Sequence, residues 1–152
     1  MYHVVQHVDV TVHTTADAET VYDLVRRGET WPDWTPISTF ELERPADGDD
    51  PEGVGAIRVF RLKVGPRTYR SRERIVELVP GHRLSYVLVS GLALRDYRAT
   101  IDLEPDATGT RIHWYSSFRP KIPGTGRLYQ AMLTRTIGTY ARGLAAYTDR
   151  RP

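Results

Sequence analysis

Near its C-terminus this 152-residue chain carries a stretch that leaves little freedom of fold: TGRLYQAMLTRTIGTYARGLAAYT, from Thr125 to Thr148. Tyr129, Met132, Leu133, Thr136, Ile137, Tyr140, Ala141, Leu144 and Tyr147 recur at the i, i+3, i+4, i+7 spacing of one helical face. Arg127, Gln130, Arg135, Arg142 and Asp149 fall on the other face. Pro123-Gly124-Thr125 supplies a break and a candidate N-cap, and Arg150-Arg151 stand where cations suit the negative end of a helix dipole. At about 1.5 Å per residue such a helix reaches roughly 35 Å, enough to cross a small domain. Its apolar face needs an apolar layer beneath it.

The preceding residues supply that layer as strands. Val4 to His13 alternates as a strand buried on one face. Asp17 is a candidate N-cap for a short helix whose face is Val21, Tyr22, Leu24 and Val25, closed by Arg26-Arg27-Gly28. In Thr30 to Pro36 the prolines forbid a long helix but permit a helical turn holding Trp31 and Trp34. A second strand, Ile37 to Glu43, is followed by an acidic loop, Pro45 to Gly53, which reads as solvated. Five more strands follow: Gly55 to Val64, Thr68 to Val79, Arg83 to Ser90, Arg95 to Glu104 and Thr110 to Phe118. Gly65-Pro66, Pro80-Gly81, Gly91 and Pro105 to Gly109 punctuate them. The pattern predicts one α+β domain over residues 1–152. Its expected form is a curled antiparallel sheet of about seven strands wrapped round a long C-terminal helix, with two short helices after strand 1. A strongly twisted sheet of that size curls, and a helix on its concave side leaves room for a cavity.

Composition removes several chemistries. With no cysteine there is no disulfide, thiolate zinc site or cysteine nucleophile. No apolar run approaches the roughly 20 residues of a membrane span, and Met1-Tyr2-His3 leads straight into a strand without a signal-peptide core, so a soluble cytoplasmic protein is expected. The net charge is +2 with arginines scattered among acids, which is no nucleic-acid footprint. GxGxxG, Walker A, HExxH and GxSxG are absent. His3, His7 and His13 share the parity opposite the Val-rich face, so neither a metal nor a cofactor is expected.

A succession of motifs carries a resemblance. It runs through Ala18-Glu19-Thr20-Val21-Tyr22, Trp31-Pro32-Asp33-Trp34, Val54-Gly55-Ala56-Ile57-Arg58 and Arg72-Glu73-Arg74-Ile75. It continues with Pro80 to Tyr86, Asp96-Tyr97-Arg98, Gly109 to Trp114 and Phe118. In this order they resemble the START-like (SRPBCC, Bet v 1-like) superfamily. That is the helix-grip fold of Bet v 1 allergens, plant abscisic-acid receptors and bacterial polyketide cyclase/dehydratase proteins, and the chain is most similar to the bacterial kind. The resemblance covers nearly the whole chain and is more specific for fold than for function. It implies a cavity for a hydrophobic or amphipathic small molecule such as a lipid or polyketide; it does not establish catalysis.

Strand alternation sorts the cavity candidates. Tyr97, Ala99, Ile101 and Leu103 share one face, as do Leu84, Tyr86 and Leu88. Ile112, Trp114, Ser116 and Phe118 form a third inward set that leaves His113 outside and discounts it as a base. Arg58 follows Phe60 and Leu62 inward, and Glu73 follows Tyr69, Ser71 and Ile75. A buried unpaired charge is costly, so these two need each other, a tyrosine or water. The resemblance favours this parity: abscisic-acid receptors carry a cavity glutamate where Glu73 aligns, and Tyr86 and Tyr97 align with their wall. Trp31 and Trp34 are candidates to gate the cavity or to pack the short helix. Met132, Ile137 and Tyr140 are candidates to line it from the long helix. Gly138 and Gly143, with Ala141 and Ala145, leave room for the sheet, for a ligand or for a second protomer, so monomer and homodimer both stay open.

Three functions fit these residues. The first is binding or transport of a hydrophobic small molecule. The second is a polyketide aromatase/cyclase or dehydratase in which Glu73 or Tyr97 serves as general acid/base and Arg58 polarises a carbonyl. After the Trp-Pro turn, some cyclases of the family carry a tyrosine where this chain has Ser38. The third is a ligand-free interaction or stress-response module in which Arg58 and Glu73 only hold the walls.

Overall fold

The computed structural model describes residues 4–149, so Met1-Tyr2-His3 and the Arg150-Arg151 pair lie outside the described residues. Strand β1 (Gln6–Thr14) leads into α1 (Ala18–Arg26), a single 3-10 turn (Gly28–Thr30) and the one-turn helix α2 (Trp31–Trp34). Then come β2 (Thr39–Arg44), β3 (Ile57–Val64), β4 (Arg67–Val79), β5 (Arg83–Ser90), β6 (Leu94–Asp106) and β7 (Gly109–Pro120), and finally α3 (Gly126–Asp149). All strand pairs are antiparallel, in the order β1-β7-β6-β5-β4-β3-β2, and the sheet does not close. It curls round α3 as the helix-grip arrangement predicted.

Local chemistry explains the boundaries. Asp17 caps α1 by accepting the Thr20 N–H at 2.8 Å, and Val21, Tyr22, Leu24 and Val25 are buried beneath it. Thr125 does not cap α3: its hydroxyl donates backwards to the Ile122 carbonyl at 2.6 Å. The far end of α3 is pinned to β1, where the Thr14 and Thr148 hydroxyls lie 2.7 Å apart and Asp149 accepts the Thr15 N–H at 2.7 Å. Register slips in β4–β5 at Arg72/Glu73 and Ile75/Glu77 mark bulges that deepen the curl beside Glu73.

Two expectations change here. The acidic loop is not merely solvated: Glu52 accepts the Gly28 N–H at 2.9 Å, and Asp50 pairs with Arg26 at 3.3 Å. The loop is a strap across the C-terminal end of α1. The helix glycines do not open space for the sheet or a ligand either. A Cβ on Gly143 would lie 2.1 Å from the Trp34 carbonyl oxygen, so this glycine lets α2 press onto α3, and Gly138 is covered by the Arg142 side chain.

Candidate functional site: a cavity ending at Glu73

Between α3 and the concave face of β3 to β6 lies a cavity of about 330 Å³, within the range of small-molecule sites. Its exposed lining residues, Val64, Tyr69, Arg70, Gly91 and Met132, put the mouth between the β3–β4 turn, the β5–β6 loop and the first half of α3. The buried end is formed by Trp31, Phe60, Glu73, Tyr86, Tyr97 and Tyr140. Ile37, Leu62, Ser71, Leu88, Leu92, Leu133, Thr136 and Ile137 complete the walls.

Of the twelve ligand-site candidates, Trp31, Phe60, Glu73, Tyr86, Tyr97, Met132, Ile137 and Tyr140 therefore border the cavity. Trp34, Trp114, Phe118 and Arg58 do not. The first three are buried behind the lining rings. Trp114 meets Trp31 edge-on at 5.6 Å between centroids, Trp34 stands 4.7 Å from Trp31, and Phe118 lies 6.2 Å from Tyr97. Neither tryptophan of the short turn gates the mouth. Both are buried at the far end, with the Trp31 indole donating to the Val25 carbonyl at 3.0 Å and that of Trp34 to the Thr30 hydroxyl at 3.2 Å.

Arg58 points inward, as its parity requires, yet it serves the framework. It is fully buried (0% exposed), and its guanidinium lies over Trp31 and Phe60 at 5.2 and 5.1 Å. One Nη donates to the Val25 and Arg26 carbonyls at 3.2 and 3.4 Å, the last turn of α1, where a cation suits the helix dipole. That Nη also lies 3.9 Å from Glu52. Although Arg58 and Glu73 are directly opposed across β3 and β4, their side chains form no ion pair among the described residues. Expected as the carbonyl-polarising group, Arg58 sits behind the aromatic wall, where α1 and the strap supply partners for one Nη while Nε and the other Nη have none among the described residues.

Glu73 faces the ligand space. Its residue surface is partly open to the cavity, while Oε1 is closed to solvent and has no hydrogen-bond partner among the described residues. Oε2 accepts from the Ser71 hydroxyl at 3.0 Å. Burial pushes the carboxyl up to about 7, against the nearby Arg58 charge and the Ser71 hydrogen bond, which both favour the carboxylate. Three phenols surround it. Burial, with a contribution from the Glu73 charge, raises Tyr86, Tyr97 and Tyr140 above the ordinary tyrosine value, so all three stay protonated hydrogen-bond donors. The Trp114 indole donates to the Tyr86 hydroxyl at 3.3 Å and fixes its direction. The arrangement is a mostly apolar slot whose buried end holds three phenols and a carboxyl with one enclosed, unpartnered oxygen.

Strand parity already placed Leu62, Tyr69, Ser71 and Leu88 on the inward face; Thr136 came from helical spacing. Val64 continues the inward series of Phe60 and Leu62; Ile37, Arg70, Gly91 and Leu92 carried no such signal, because turns and strand ends have no fixed period. Among the described residues no group of three or more histidines and carboxylates could hold a metal. His113 instead meets Asp9 at 2.9 Å, and His13 meets Asp106 at 3.2 Å, both on the outer face.

Known proteins share this architecture. The Zhui aromatase/cyclase from Streptomyces sp. R1128 superposes with a TM-score of 0.81 at 14% identity, over 97% of this chain and 96% of that one. A START superfamily protein from Mycobacterium smegmatis gives 0.78 at 15% identity, over 97% and 99%. Norcoclaurine synthase from Thalictrum flavum, in complex with dopamine and hydroxybenzaldehyde, gives 0.75 at 15% identity, over 99% and 90%. At such identities these likenesses speak for the START/Bet v 1-like fold alone. No curated protein sequence matches the chain. Residues 5–149 match the family described as polyketide cyclase / dehydrase and lipid transport, and the chain belongs to that family.

Proposed function

We propose that the protein binds a hydrophobic small molecule bearing one polar group, with its apolar body between α3 and the sheet and its polar group at Glu73. The observation that carries this reading is the Glu73 carboxyl, with one oxygen unpartnered, at the closed end of a mostly apolar cavity. A ligand hydroxyl or enol donating to the carboxyl, once rotation of the side chain brings Oε1 out of its closed position, would supply the missing bond, and Tyr86, Tyr97 and Tyr140 could donate to a neighbouring carbonyl. Titration with N-phenylnaphthylamine tests it, since Trp31 borders the cavity and its emission would be quenched by a bound dye. The expected result is saturable quenching, weakened about tenfold by Thr136→Trp, which fills the slot from α3. Quenching that is absent, or unchanged in Thr136→Trp, would contradict it.

A second reading has its own support. A carboxyl that ionises near neutrality can take a proton from the carbon between two ketones and return it to an oxygen leaving as water, the chemistry of a cyclase/dehydratase. The likeness to the Zhui aromatase/cyclase and the family both accord with it. Turnover of a poly-β-ketone mimic by the wild type, lost in Glu73→Gln while dye binding persists, is its expected signature. Binding of the mimic without turnover would leave the carrier reading alone.

A further inference from the structure

In an antiparallel meander alternate turns share an end, so the β3–β4 turn, the β5–β6 loop and the β7–α3 loop all gather round the cavity mouth. Contacts tie them together. Gly91 backs onto Arg70, where a Cβ would lie 2.4 Å from the carbonyl oxygen, and the Lys121 N–H donates to Ala93 at 2.9 Å. The arginines that look scattered along the sequence become polarised by this folding. Residues 62–70, 91–96 and 119–128 hold seven basic side chains against Asp96, a local charge of +6 in a chain whose net charge is +2. Residues 14–19, 45–53 and 104–109, at the opposite end, hold eight carboxylates and no lysine or arginine.

Arg70 and Arg119 have acidic neighbours in Glu43 and Asp96. Among the described residues Lys63, Arg67, Arg95, Lys121 and Arg127 are exposed and form no ion pair. Three of these basic residues directly precede exposed aliphatic tips: Lys63-Val64, Lys121-Ile122 and Arg127-Leu128, where the apolar partners are 53%, 54% and 71% exposed. Met132, one turn beyond Leu128, extends the same surface into the cavity.

We infer that the mouth docks on an anionic lipid bilayer, with Val64, Ile122 and Leu128 entering the headgroup region while the basic side chains beside them meet lipid phosphates. A basic ring alone would suit any acidic surface. Protruding aliphatic side chains interleaved with it favour an interface that is charged outside and apolar just beneath. An apolar ligand could then pass between bilayer and cavity without crossing water. This surface stands apart from the ligand reading, and its test needs no ligand.

Cosedimentation of the full chain with phosphatidylcholine vesicles, with and without about one-third phosphatidylglycerol, decides it. The expected result is binding to the anionic vesicles only, falling about tenfold between low and physiological salt. Combining Lys63→Glu, Arg67→Glu and Lys121→Glu should weaken it more than about a hundredfold, since each cation near an anionic leaflet contributes about fivefold in partition and each glutamate adds repulsion. Ile122→Ser with Leu128→Ser, which keeps every charge, should weaken it about tenfold. Circular dichroism confirms that both variants fold. No preference for anionic vesicles, or wild-type binding by the charge-reversed chain, would overturn the proposal. Full binding by the serine variant would overturn it too, because the patch would then be an electrostatic site for a soluble acidic partner.

Discussion

Arg58→Ala is expected to destabilise the protein by about 3–5 kcal/mol, lowering the midpoint of thermal unfolding by roughly 10 °C. The substitution removes a fully buried cation that bonds the Val25 and Arg26 carbonyls and faces Glu52. Two helix-end carbonyls lose a donor, Trp31 and Phe60 lose the group stacked on them, and Glu73 loses the positive charge that favours its ionised form. Arg58→Met should cost less, because it keeps the volume against the aromatic rings. Combining Arg58→Met with Glu73→Gln should recover about 1 kcal/mol relative to the sum of the single changes, since neither charge is then left without the other. Urea unfolding of the four chains measures this. Strict additivity would mean that Arg58 and Glu73 do not sense each other across the strand pair.

Glu73→Gln is expected to change how stability depends on pH. The folded pKa of Glu73, about 7, lies above its ordinary value of 4.5. Its protonated form therefore supports the fold fully below pH 4.5, and that support is lost progressively as pH rises through 7. Ionising a carboxyl so disfavoured costs the native state on the order of 3 kcal/mol. The wild type should lose about that much stability relative to Glu73→Gln across this window, and the glutamine variant should be the more stable of the two at pH 8. Parallel stability curves for the two chains would show that Glu73 ionises as freely in the fold as in the unfolded chain. A carboxyl kept at such a cost, with one oxygen unpaired, is an arrangement that a ligand can improve.

Local pattern reached far into this structure. The period of 3.6 in the C-terminal stretch and the period of 2 in the strands follow from backbone geometry, so they located α3, all seven strands and the inward parity of Arg58, Glu73, Tyr86 and Tyr97. Parity cannot distinguish a side chain that lines a void from one packed behind it. Trp114 and Tyr86 both face inward, but sheet curl and the bulges beside Glu73 put Trp114 behind the wall and Tyr86 on it. Arg58 shows a second limit, since its partners come from Val25, Arg26 and Glu52, and no local pattern announces that the acidic strap crosses the end of α1. Charge shows a third: arginines and lysines spaced from β3 to the start of α3 form a basic rim only because alternate turns share an end.

The central claim, that the cavity receives an apolar ligand whose polar group meets Glu73, is tested most directly by following the Glu73 carboxyl carbon by NMR as pH is varied. The free protein is predicted to titrate at about 7. With N-phenylnaphthylamine bound, its amine can donate to the carboxyl while its rings exclude water, so the midpoint should move. A midpoint that the bound dye leaves unchanged would contradict the claim, and one near 4.5 would in addition place Glu73 in contact with bulk water.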